Sequence, residues 1–119
     1  IGTLSAFCGA VSAGAGAGAG IAYLRGADLE GISHTVVNAL AINSGIICDG
    51  AKASCAAKIA AGVDAGIFGY QMYKDGQQFY GGDGIIVKGI ENTIANIGRL
   101  GQDGMKETND EIIRMMIGK

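Results

Sequence analysis

Three cysteines are the most reactive groups in this chain: Cys8, and then Cys48 and Cys55 within GIICDGAKASC at residues 45–55. An odd number cannot be consumed by disulfides alone, and a thiolate is both a nucleophile and a soft metal ligand. On one continuous helix Cys48 and Cys55 would share a face but stand roughly 10 Å apart along its axis, a long reach for two ligands of one ion. With Asp49 as an N-cap and a helix opening at Gly50, Cys48 lies instead in the preceding loop and folds back towards the first turns, where Cys55 projects. The unpaired N–H groups and positive dipole end of that helix then favour thiolates, and Lys52 adds a positive charge nearby.

Zinc would want a fourth ligand and CxxC-type pairs, which the sequence lacks; the lone histidine, His34, is the one residue to recruit. Three thiolates without a fourth fit an iron–sulfur cubane with one iron left open. The competing explanation is plain packing, since a free cysteine is often a small buried hydrophobe.

The elements that must position these residues read as helices. Residues 1–24 carry no charge, and GAVSAGAGAGAG at 9–20 offers one valine among Gly, Ala and Ser, too little apolar bulk for a membrane span. The dinucleotide fingerprint fails there because Ala19 stands where its last glycine belongs, and a Gly/Ala strand would pack poorly. As a helix, Gly14 with Gly18 and Gly16 with Gly20 form small ridges that admit another backbone, at about 1 kcal/mol per glycine in helix propensity. Asp28 caps an amphipathic helix to about Ile47, with His34 and Asn38 one turn apart beside its apolar stripe. Ile59, Val63, Ile67 and Tyr70 mark a helix from Ala51 to about Lys74.

The turn-rich DGQQFYGGDG at 75–84 separates these from Ile86, Ile90, Ile94 and Ile97, a further helix that weakens at Gly98 and Gly101. Thr108 and Glu111 read as a capping box opening a short terminal helix. The expected fold is all-α, a compact bundle of closely packed Gly/Ala-rich helices forming one domain over residues 1–119. Of the 119 residues 49% are hydrophobic, 22 are glycine and none is proline, and the net charge is −2 with no Lys/Arg cluster. Nucleic acid and membrane are therefore not expected partners, and the cysteine usage fits a reducing cytoplasm. The first residue, Ile1, suggests a piece of a longer protein.

Cys8–Gly9 running into AGAGAG, then Asn38, SGIICDGAKASC and RLGQDGMKET at 99–108 together resemble the α-domain of the iron–sulfur L-serine dehydratase superfamily. The likeness leans towards the cysteine desulfidase branch and its UPF0597-like relatives. The serine dehydratase branch typically has a proline after the CD pair and a longer gap to the last cysteine, where this chain has Gly50 and an early Cys55. The resemblance implies the C-terminal portion of a longer lyase, with a four-iron, four-sulfur cluster held by Cys8, Cys48 and Cys55. It implies a small amino-acid substrate, cysteine or serine, undergoing β-elimination to pyruvate and ammonia without pyridoxal phosphate. It also implies a missing N-terminal portion as partner, and it leaves room for a homo-oligomer.

The remaining candidates have two readings each. Lys52 offsets cluster charge or meets the substrate carboxylate, or else is a first-turn surface lysine. Asn38 donates to a carboxylate or a sulfide, or links two helices. His34 accepts the α-proton, or that base lies in the missing portion. Against all of this stands a metal-free helical domain for assembly or regulation, whose cysteines only pack.

Overall fold

The computed structural model describes residues 5–119, and there the chain is all-α: α1 Gly9–Leu24, α2 Leu29–Asn43, α3 Ser54–Lys74, α4 Ile90–Arg99 and α5 Lys106–Met116. No helix among the described residues is long and apolar enough to cross a membrane.

The alanines of the Gly/Ala run hold α1 helical, and its glycines decide what the helix can touch. A Cβ on Gly18 would come within 2.6 Å of the Gly66 Cα, and one on Gly14 would run into the Gly62 backbone. Opposite them, the Cβ positions of Gly62 and Gly66 point at the carbonyl oxygens of Ala10 and Gly14. Helices α1 and α3 thus lie backbone against backbone, and the hydrogens standing where side chains would be make Cα–H···O contacts of about 0.5–1 kcal/mol each. Residue number rises together along both helices, so they run parallel. The second expected ridge is not used in this way: Gly16 and Gly20 have nothing within 4 Å of a Cβ.

Helix α2 runs antiparallel to this pair and packs on α3 through Gly31, Thr35, Asn38 and Ala39. Gly31 makes room for the Tyr73 ring, and Gly69 lets Asn38 and the Thr35 carbonyl close in to 3.0 Å of where its Cβ would stand. Asp28 is the N-cap expected of it, its Oδ1 accepting from the Gly31 N–H at 2.9 Å.

One expectation about the C-terminal elements is corrected. Thr108 does not open a helix, because α5 begins at Lys106 and Thr108 lies within its first turn. The weakening expected at Gly98 and Gly101 is present: α4 stops at Arg99 and passes into a π-turn, Leu100–Gly104, that carries the chain towards α5. Wider π-spacing alters the usual carbonyl pattern, and the Gly101 oxygen accepts from Ser5 Oγ at 2.7 Å. This contact ties the segment before α1 to the far end of the sequence.

Candidate functional site

The cysteine end is assembled from three separate stretches. Just before α1, Phe7 forms an isolated antiparallel bridge with Ile47. The Cys8 N–H donates to the Ile46 carbonyl at 3.1 Å and the Cys48 N–H to the Ala6 carbonyl at 2.6 Å. Side chains alternate along such a pair, so Cys8 and Cys48 project from the face opposite Phe7 and Ile47 as diagonal neighbours. Cys8 is buried in the core with Phe7, Val11, Ala39 and Leu40, and half-buried Cys48 packs on the same cluster.

The third cysteine arrives through the helix register. Because α1 and α3 are parallel with Gly14 beside Gly62, the start of α1 lies level with the first turns of α3. Cys8 is the N-cap of α1 and Cys55 is the second residue of α3. Neither helix N-terminus has a side-chain cap, so two positive dipole ends face this region, although the Val11, Cys55 and Ala56 N–H groups already donate to the Cys8, Lys52 and Ala53 carbonyls. The Cys55 thiol is bracketed, donating to the Gly50 carbonyl at 3.4 Å and accepting from the Lys52 N–H at 3.5 Å.

Asp49 is not the N-cap expected of it. Helix α3 starts later, at Ser54 after Ala53, and the Asp49 carboxylate is bonded to Lys52 and Lys58. Those hydrogen bonds, Lys52 first, hold its pKa down at about 2. Lys58 is the residue the sequence reading missed. Its ammonium donates to the Ile47 carbonyl at 2.8 Å and to Asp49 Oδ1 at 2.9 Å. The Asp49 hydrogen bond raises its pKa against the opposing effect of burial, and Cys8 and Cys55 add smaller electrostatic contributions. The available signal was position, since Lys58 follows Cys55 by one helical turn.

His34 and Asn38 are not brought to this end. Asn38 is fully buried; its Nδ2 donates to the Gly69 carbonyl at 3.0 Å and its Oδ1 accepts from the Phe79 N–H at 3.2 Å. Gly69 lies about 21 Å beyond Cys55 along α3. His34 stacks on Tyr73, ring centroids 5.6 Å apart, about 27 Å beyond Cys55 on the same axis. There it lines an open cavity of about 540 Å³ with Ser33, Val37, Tyr80 and Lys88, remote from all three cysteines.

Among the described residues no three His, Cys, Asp or Glu side chains are gathered tightly enough for a single metal ion. A cubane is ligated through different irons and does not need that spacing. The groups at this end that could meet an anionic cofactor are three thiols, two helix N-termini without side-chain caps and two lysines.

The protein-family model described as serine dehydratase alpha chain matches residues 1–114. A UPF0597 protein of Desulfitobacterium hafniense is 70% identical over all 119 residues, and one of Finegoldia magna is 55% identical over the same length. A third, from Lachnoclostridium phytofermentans, is 53% identical over 117 residues, 98% of this chain. The chain spans 28% of the length of these relatives. No solved structure matches.

Proposed function

We propose, from the premise that this chain belongs to the serine dehydratase alpha chain family, that it is the C-terminal helical portion of an iron–sulfur lyase. The reaction is β-elimination on a small amino acid: L-cysteine and water give pyruvate, sulfide and ammonia, with L-serine the alternative substrate. The reading is carried by one observation, that the Phe7–Ile47 bridge sets Cys8 and Cys48 on one face while the parallel register of α1 and α3 puts the Cys55-bearing first turn level with Cys8.

Cys8, Cys48 and Cys55 would hold a four-iron, four-sulfur cluster. When bound, it would supply a Lewis-acidic open iron for the leaving thiol or hydroxyl. The chain's own contribution is electrostatic and steric. Two helix N-termini and the Lys52–Asp49–Lys58 trio, which carries two positive charges against one negative, attract a substrate carboxylate. The Cys55 thiol must give up its hydrogen bond to Gly50, since a thiolate has no proton to donate. With His34 and Asn38 held at the other end of α3, we assign α-proton removal to a group supplied by the rest of the longer protein.

The test is anaerobic purification and reconstitution of the full-length protein, followed by iron and sulfide analysis. Sulfide release from L-cysteine is then compared with pyruvate release from L-serine. Bound iron and sulfide that disappear in Cys8→Ser, Cys48→Ser or Cys55→Ser are expected. A folded full-length protein that takes up neither would leave the metal-free packing role in its place.

A further inference from the structure

A lysine one turn into a helix ordinarily extends along the surface, its ammonium in water. Lys58 departs from that pattern, with a side chain only 21% exposed and an ammonium turned back along α3 towards the preceding loop. Its two acceptors are the Ile47 carbonyl and the Asp49 carboxylate, which belong to the residues immediately before and after Cys48. The opposite side of the same segment is fastened to residues 6–8 by the bridge hydrogen bonds. The segment 46–49 around Cys48 is thus held at two points from α3 and at two from residues 6–8.

Lys52 provides the contrast. It is more exposed, at 44%, and its ammonium has a single partner, Asp49 Oδ1. Both lysines meet the same carboxylate oxygen, but Lys58 alone also reaches the backbone ahead of Cys48. Removing either deletes one positive charge, and only one removal frees the loop.

We propose that Lys58 is the positioning residue of the three-cysteine site, gripping the residues on both sides of Cys48 and so holding Cys48 beside the Cys55-bearing turn of α3. Naming this a site rests on the lyase reading above; the grip itself does not. Its chemical consequence is preorganisation: a ligand loop already held in place loses less conformational entropy when a cluster binds.

The experiment uses the full-length apoprotein and follows amide hydrogen exchange of residues 46–50 and alkylation of Cys48 by iodoacetamide, both read by peptide mass spectrometry. Lys58→Gln should speed both about tenfold, as expected when a local opening becomes easier. Lys52→Gln should leave both as in the unaltered protein, and Lys58→Arg, which keeps charged donors in place, should restore most of the protection. After anaerobic reconstitution, iron retention should fall in the same order as the exchange rates rise.

The grip is overturned if Lys58→Gln matches the unaltered protein in both measurements, or if Lys52→Gln speeds them equally, which would make charge rather than attachment the cause. Should Lys58→Gln unfold the whole chain, Asp49→Ala removes one of the two attachments. A partial acceleration then supports the grip, and none overturns it. An unaltered protein that takes up no iron refutes the lyase reading alone, whereas unprotected 46–50 amides in that protein refute the grip alone.

Discussion

The two ends of α3 are built from the same three helices and hold polar groups in opposite ways. At the end near Tyr73 the buried polar side chains have partners: Asn38 uses both halves of its amide, Thr35 donates to the Gly31 carbonyl at 2.7 Å, and His34 lies stacked on Tyr73. At the other end two helices start without side-chain caps, three thiols stand unpaired as disulfides, and a loop is held by a lysine. Satisfied buried polar groups fix one packing arrangement, while uncapped N–H groups and free thiols remain available to a ligand. The difference separates an end whose buried polar groups fix the packing from an end whose thiols stay free.

The comparison breaks most completely where both ends depend on one feature. Gly62→Val would drive a side chain into the Ala10 carbonyl and towards the Gly14 Cα, and should cost about 3 kcal/mol or more in thermal or urea unfolding. Gly16→Ala, two residues along from Gly14 on α1 and with nothing within 4 Å, should not destabilise the 119-residue chain. Asn38→Leu strands the Gly69 carbonyl and the Phe79 N–H, a cost of about 2 kcal/mol. That variant should loosen residues 75–80 in hydrogen exchange and leave 46–50 protected. An altered cysteine end would show that the two ends are coupled.

The smallest effect is an acid titration confined to the cysteine end. Asp49 is held down at about 2 from an ordinary 3.8, so its contribution is complete above about pH 3.8 and is lost as the pH falls towards 2. Amide resonances of Lys52 and Cys55 should shift in that window while those around Asn38 stay still. Titration at the ordinary carboxylate pKa would mean that the two lysine contacts do not persist in solution.

Local signals in the sequence were read well where short-range chemistry decides, and less well where distant backbone decides. The Asp28 cap depends on a neighbour three residues away, and the Gly14–Gly18 ridge is legible in its own spacing although the backbone it meets, Gly62 and Gly66, is distant; the structure contains both. The two failed caps share a cause. Asp49 and Thr108 have the right residue types, but Asp49 has two lysines competing for its carboxylate, and the π-turn carries the chain into a helix already begun before Thr108. Lys58 was passed over because its decisive acceptor, the Ile47 carbonyl, is a main-chain atom eleven residues away that no residue type announces. Asn38 and His34 sat in the right helix, but the antiparallel course of α2 puts them at the far end of α3.

The glycine seam between α1 and α3 also restricts how the gene can change length. Backbone packed on backbone leaves one register, and from it the chain counts back six residues to Cys8 and seven to Cys55. One residue inserted between Cys8 and Gly14 would rotate the cysteine about 100° around α1 and displace it about 1.5 Å along the axis. A substitution in either interval can be absorbed by a rotamer, but an insertion or deletion there cannot. The turn-rich 75–84 stretch, which lies in neither interval, is where insertions and deletions should accumulate.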